Sequence, residues 1–208
     1  MKKGMVYLIG AGPGDIDLIS VRALRALESA DCIVYDFLSN AEIIQKFEYE
    51  KIYVGKTGSD HTLSQDKIND LIIQKAKEGK TVARLKGGDP FIFGRGGEEA
   101  QDLVNEGIPF RIIPGISSFY SAPAYAGIPV TNRDHADSFE VITGHRRSDS
   151  GDDLEITLPE YNPHRTFVFL MGMKNLGRIS EKMISEKGFP ADTPAAVISW
   201  GTTPRQKT

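Results

Sequence analysis

The sequence predicts an α/β protein whose N-terminal half is built on a parallel sheet, and three observations carry that prediction. Short apolar runs alternate with glycine-containing loops and helical segments, the pattern of right-handed βαβ units. Nearly every apolar run stops at glycine or a polar loop, which gathers the loops at the carboxyl ends of the strands, where open α/β sheets bind ligands. The chain has 208 residues, 40% hydrophobic and 25% charged, enough for one large or two small globular domains, each with a core.

The elements follow in order. MVYLIG (5–10) reads as the first strand and runs into AGPGD, and a helix over about 20–30 takes Ser20 as its N-cap. CIVYD (32–36) is the second strand, before a short helix near 40–47. KIYVG (51–55) is the third and leads to KTGSDHTLS, where Ser64 caps a helix through Lys77. TVARL (81–85) enters a glycine loop and a helix over about 97–106. PFRII (109–113) ends at Pro114-Gly115, and Ser117 or Ser118 caps a helix to about Ala126. Beyond residue 127 the pattern changes: turns lead to the apolar runs FEVIT (139–143), TFVFL (166–170) and AAVIS (195–199). The polar stretch GHRRSDSGDDLEITLPEYNPHR between the first two reads as an exposed connection with room for one short helix. A domain boundary therefore falls near 115–130, giving residues 1–115 and 116–208.

Composition excludes several classes. A formal net charge of −3 gives no global field for nucleic acid, so an anionic ligand must meet a local basic patch. Cys32 is the only cysteine and sits in the apolar run CIVY, which reads as a buried structural thiol; one thiol allows no internal disulfide and fits a reducing cytoplasm. The start MKKGMVYLIGAG mimics a signal peptide, but its apolar stretch is short and ends in a glycine-proline turn. No run approaches the roughly 20 apolar residues of a membrane helix. His61, His135, His145 and His164 lack ligand spacing, so no metal is expected.

The most informative segment is 81–99. Val82, Ala83 and Leu85 carry Arg84 and Lys86 between and after them, and the strand breaks at Gly87-Gly88-Asp89-Pro90. Gly94, Gly96 and Gly97 bracket Arg95, and Glu98 and Glu99 open a helix. Five glycines in eleven residues cost more backbone entropy than a strand-to-helix turn requires, so a ligand against the backbone is expected. A dinucleotide site fits poorly. In Gly10-x-Gly12-x-Gly14 the third glycine comes one position early, Pro13 has no N–H for a pyrophosphate, and the helix starts late, although Asp36 stands where a ribose-binding acid would. Gly55-Lys56-Thr57 is only a fragment of a phosphate loop, without its upstream glycine.

Taken together, GAGPGD at 10–15, VYD at 34–36, VGK at 54–56, RLKGGDPFIFGRGGEE at 84–99, PGISS at 114–118, AGIPVTNRD at 126–134 and TGH at 143–145 resemble one family. The chain is similar to the uroporphyrinogen-III C-methyltransferases, S-adenosylmethionine-dependent enzymes of the tetrapyrrole methylase superfamily. The resemblance implies two α/β domains, the N-terminal with a parallel and the C-terminal with a mixed sheet, a ligand cleft between them, and a cytoplasmic homodimer that binds neither nucleic acid nor membrane. It implies methylation of uroporphyrinogen III at C2 and C7 to precorrin-2, for sirohaem or cobalamin synthesis, with S-adenosylhomocysteine as the second product. A methylase of a later corrin precursor, or a non-catalytic tetrapyrrole-binding domain, stays open beside it.

By motif matching, the resemblance implies that the methyl donor contacts Pro13, Gly87, Gly88, Asp89 and Ile92 on one side, and Ser117, Ser118, Met171 and Gly201 on the other. Asp89 would accept hydrogen bonds from the donor's amino group or ribose, or serve only as a turn aspartate. Met171 could equally be core at a strand end. Asp36 as proton acceptor and Lys56 as proton donor complete the implied site. Their alternatives are a salt bridge at the sheet edge, or a Lys56 contact to a substrate carboxylate. An octacarboxylate substrate needs cations, and Arg84, Lys86, Arg95, Arg133, His135, Arg146 and Arg147 are candidates, the last two reading more simply as solvated surface. The chain departs from the family at Ser117-Ser118, commonly Thr-Ala, and at Phe37, where arginine is usual. Relatives continue for several dozen residues past the position of GTTPRQKT, so the second domain is expected to be incomplete at its C-terminus.

Overall fold

A computed structural model describes residues 4–36, 41–55, 63–145 and 156–208. The chain divides into two compact units, Met1–Ser118 with Trp200–Arg205, and Phe119–Ser199 with Gln206–Thr208. The first holds β1 (Met5–Gly10), α1 (Val21–Glu28), β2 (Cys32–Tyr35), α2 (Ala41–Gln45), β3 (Glu50–Tyr53), α3 (Gln65–Lys77), β4 (Thr81–Lys86), α4 (Gly96–Asn105) and β5 (Phe110–Ile113). Its strands form one sheet in the order β3-β2-β4-β1-β5, and every pair is parallel.

The apolar pattern explains this order. In β1 and β4 the side chains Val6, Leu8, Ile9, Val82, Ala83 and Leu85 have no accessible surface, as expected of central strands covered on both faces. Alternation along the strands sends Ile9, Ile33, Ala83 and Leu85 to one face, against Leu27 of α1 and Ile43 of α2. Val6, Leu8, Val34 and Val82 go to the other, against Ile72 of α3 and Leu103 of α4. Two of the predicted caps form: Ser20 Oγ accepts from Ala23 N at 3.1 Å, and Ser64 Oγ from Lys67 N at 3.4 Å. A 3-10 turn at Ile16–Leu18, capped by Asp15, fills the space before α1 and accounts for its late start.

Register decides where the loops meet. Gly10 lies opposite Lys86, so β1 and β4 end level and their loops emerge side by side. Gly88 N donates to Gly12 O at 2.7 Å, and Gly12 N donates to Gly88 O at 3.2 Å. The β5 loop closes on the same spot: a Cβ on Gly115 would stand 2.1 Å from Gly88 O and 2.7 Å from Gly10 Cα. Only a residue without a side chain fits there. The segment Trp200–Arg205 also packs on this unit, with buried Thr202 accepting from Asp15 N through Oγ1 at 3.1 Å. The Arg205 guanidinium lies 3.9 Å over the Trp200 ring.

The second unit contains most of α5 (Ser118–Tyr125), then β6 (Ser138–Thr143), β7 (Arg165–Leu170) and α6 (Leu176–Glu186). β6 and β7 pair in parallel from Ser138 opposite Arg165 to Thr143 opposite Leu170. Helix α6 lays Ile179 and Met183 on Ile142, Phe169, Ile156 and Leu158. The strand expected at AAVIS (195–199) does not form. Only Ser199 bridges, antiparallel, to Lys207, and Val197 is exposed, so among the described residues the second sheet has two parallel strands. An apolar run becomes a strand only where a neighbouring strand supplies a ladder, and none lies beside this one among the described residues. Helix α6 is not announced by the sequence pattern. Its apolar face is carried by Ile179 and Met183, too sparse to stand out beside the β-branched runs.

Gly115→Ala is expected to lower the unfolding free energy by roughly 1–3 kcal/mol, because the new methyl meets backbone that cannot rotate away. Gly97→Ala, in the first turn of α4 with nothing within 4 Å of the new Cβ, is expected to raise it by up to about 1 kcal/mol. Urea titrations of the two variants check the contrast.

Candidate active site

The residues singled out by sequence fall into three groups. Pro13, Gly87, Gly88, Asp89, Ser117 and Gly201 lie on loops of the first unit that touch one another, and Ser118 opens α5 directly after one of them. Gly12 bonds Gly88, Gly115 packs on Gly88, and Gly201 O stands 3.2 Å from where a Cβ of Gly14 would be. Ile92 follows in the same loop, exposed between Phe91 and Phe93. Met171 directly follows β7 in the second unit. It is 56% exposed with φ +59°, so it is not a core residue of that unit. Lys56 lies outside the described residues, as do Phe37, His61, Arg146 and Arg147.

Asp89 ties two of these loops together. Its Oδ1 accepts from Phe91 N at 2.8 Å, an Asx turn, and its Oδ2 accepts from Gly115 N at 3.0 Å. The carboxylate thus holds the β4 loop against the β5 loop, whatever else it contacts. At Gly88, with φ +64°, an added Cβ would find only Ser117 Cα, at 4.0 Å, so the backbone there faces open space.

Beside these loops a cluster of charged side chains lies within the sheet. Asp36 follows β2, and the β2–β4 register sets Val34 opposite Arg84. The Arg84 side chain is 2% exposed. Its Nη2 donates to Asp36 Oδ2 at 3.2 Å, its Nη1 to Leu85 O at 3.0 Å and Val34 O at 3.4 Å, and its Nε to Glu99 Oε1 at 3.1 Å. Lys86 Nζ reaches the same Glu99 oxygen at 2.8 Å, and Gln65 Nε2 reaches it at 3.1 Å. Gln65 also donates to Asn69 Oδ1, and Asn69 donates to Asp102 Oδ2 at 2.6 Å, which stitches α3 to α4. Burial, reinforced by the adjacent Arg84 charge and opposed by Glu99, pushes the Lys86 ammonium below the ordinary lysine range.

This arrangement corrects the expectation for two of the cations. Arg84 and Lys86 are not presented to a substrate from the loop surface: they share with Val82 the face covered by α3 and α4 and are paired with Glu99. Arg95 is exposed but paired with Glu98, its Nε to Oε1 at 2.8 Å, and its backbone is left-handed at φ +57°. Arg133 and His135 lie in an exposed turn of the second unit. Burial pushes the Cys32 thiol up to about 11, which suits an inert core thiol.

Sequence reasoning missed Glu99, Gln65 and Asn69 as members of this cluster. The available signal was spacing: Glu99 stands four residues before Leu103 on the buried face of α4, facing a strand that carries Arg84 and Lys86 at alternate positions. Asp89→Ala is expected to lower the stability of the ligand-free protein by roughly 1–3 kcal/mol, and Asp89→Asn by less, since the amide oxygen keeps one of the two bonds. Urea unfolding without any donor added reads this directly.

A family model described as the tetrapyrrole (corrin/porphyrin) methylases matches residues 5–208. The chain is 50% identical over 206 residues to the uroporphyrinogen-III C-methyltransferase of Bacillus subtilis, covering 98% of this chain and 79% of that protein. It is 49% identical over 209 residues to the siroheme synthase of Pseudomonas fluorescens, covering 98% of this chain but only 44% of that longer protein. A solved uroporphyrin-III C-methyltransferase of Thermus thermophilus, complexed with S-adenosylhomocysteine, superposes with a TM-score of 0.80 at 32% identity, covering 98% of this chain and 81% of that one. On a match that takes in the parallel sheet, its glycine loops and the second unit, the chain belongs to the tetrapyrrole (corrin/porphyrin) methylases.

Proposed function

We propose that this protein transfers methyl groups from S-adenosylmethionine to C2 and C7 of uroporphyrinogen III, giving precorrin-2 on the way to sirohaem or cobalamin. The observation that carries the reading is the loop junction at the carboxyl edge of the sheet. Three loops meet there backbone to backbone, and Gly88 still faces open space. Backbone amides and carbonyls held this way suit a ligand that binds along the main chain, and the position is where an open α/β sheet takes its ligand.

In this reading Pro13, Gly87, Gly88, Asp89, Ile92, Ser117, Ser118, Met171 and Gly201 hold the donor, and Asp89 contributes first by locking the two loops that carry the others. The donor supplies an electrophilic methyl group on a sulfonium, and the pyrrole carbon of the substrate is already electron-rich. The protein's main task is then alignment, which can supply roughly 7–11 kcal/mol of the barrier. The methylated ring carbon already bears a side chain and has no hydrogen, so methyl transfer leaves the macrocycle cationic. Asp36 takes the proton that the macrocycle then releases from a pyrrole N–H or a bridging methylene, and Lys56 is the paired proton donor in the tautomerisation that follows. Exposed Arg95, Arg133 and His135 remain as cations for the substrate carboxylates. The functional form is a cytoplasmic homodimer whose chains each have domains at residues 1–115 and 116–208.

The test is anaerobic incubation with isotopically labelled donor and uroporphyrinogen III, following product mass. A gain of two methyl groups supports the proposal, whereas measurable donor binding with no transfer would leave a binding module. Asp36→Asn is expected to slow turnover by about 10²–10⁴-fold and leave donor binding by calorimetry nearly intact. Loss of donor binding in that variant would move Asp36 from proton transfer to the donor site.

A further inference from the structure

We infer that Glu99 is a positioning residue for Asp36, acting through Arg84. The inference rests on the reading of Asp36 as proton acceptor. Glu99 is 1% exposed and lies on α4, whose buried face is otherwise small or apolar, with Gly96 and Leu103. A leucine at that position would anchor the helix without removing a carboxylate from water, and buried ion clusters replaced by well-packed apolar groups are often neutral or stabilising. The charge is therefore poorly explained by folding stability alone.

Its contacts show what the charge does. One oxygen, Oε1, gathers the Nε–H of Arg84, the ammonium of Lys86 and the amide of Gln65, while Oε2 is buried with no hydrogen-bond partner among the described residues. Carbonyls of β2 and β4 take the Nη1 hydrogens of Arg84, and Glu99 takes the Nε–H, leaving Nη2 aimed at Asp36. The guanidinium is planar, so fixing its Nε edge fixes the direction of Nη2. Exposure rises along this path, from 1% at Glu99 and 2% at Arg84 to 28% at Asp36. The network thus reaches solvent at the carboxyl edge through the carboxylate assigned to proton transfer. Its other arm runs inward through Gln65 and Asn69 to the α3–α4 seam. Glu99 also balances two cations, Arg84 and Lys86, which would otherwise repel each other beside Asp36.

The test is a double-mutant cycle in the full chain. Glu99→Gln keeps the shape and removes the charge. It is expected to lower kcat by roughly 10- to 100-fold with donor affinity unchanged, and to have no further effect in the Asp36→Asn background. Glu99→Asp, which keeps the charge on a shorter arm, should recover part of the loss. Equal kcat losses from Glu99→Gln in the two backgrounds would overturn the inference, since Glu99 would then act independently of Asp36. Wild-type turnover in Asp36→Asn would instead sink the proton-acceptor reading.

A readout independent of turnover is the Arg84 Nε–H resonance in nitrogen-15 NMR, assigned by its absence from Arg84→Lys. Its solvent exchange should be at least roughly tenfold faster in Glu99→Gln, or in Glu99→Asp should the glutamine variant not fold. Unchanged exchange overturns the positioning role whatever the activity.

Discussion

Strands β1, β4 and β5 end at one level, and the loops that leave them touch without any intervening side chain. A methyl group on Gly10 would stand 2.5 Å from Gly115 Cα and from Gly88 O, and one on Gly115 would stand closer still. This contact sets the geometry of everything at the carboxyl edge. It fixes the path of the β4 loop, which Asp89 then locks to β5 through Gly115 N. It also fixes the GAGPGD loop, which the Trp200–Arg205 segment holds from outside through Thr202. An edge assembled this way is preorganised, because the chain entropy of the loops has been lost during folding.

A second constraint lies beneath that edge. Four ionisable side chains, Asp36, Arg84, Lys86 and Glu99, meet where α3 and α4 cover the sheet, and three of them are almost completely buried. Such a cluster holds together only if each charge has a partner, and the shared Oε1 of Glu99 meets that condition for both cations at once. The polar seam of Gln65, Asn69 and Asp102 then joins the two covering helices to the same centre. Packing and charge meet here: the carboxylate that neutralises the two buried cations beneath α4 also holds the Nε edge of the arginine that reaches Asp36.

Much of this was legible along the chain. The apolar runs at 5–10, 32–36, 51–55, 81–85 and 109–113 mark the five parallel strands, and Ser20 and Ser64 mark two helix starts by their capping oxygens. The glycines of 87–97 announce a loop in close backbone contact, and the motifs from GAGPGD to TGH indicate the family that the full-length match establishes. These features are local: a period of two, a capping side chain or a residue without Cβ acts within a few positions of itself. AAVIS misled for the same reason. Its β-branched pattern is local, but a strand also requires a neighbour.

Tertiary structure alone decided what the charged residues do. In sequence, Arg84 and Lys86 look like cations beside a ligand loop; in the fold they point inward on the same face as Val82 and are neutralised by Glu99, which follows Lys86 by thirteen residues. In sequence Asp89 stands as a ligand acceptor or a turn aspartate; only the fold shows that one of its oxygens accepts from Gly115 N, twenty-six residues away. By itself the sequence determined the five strands of the first sheet, the helices between them and the family, because those follow from periodicity and motif. Which charges face a ligand and which hold the sheet together depended on strand register and helix placement, because an ion pair is made by proximity in space.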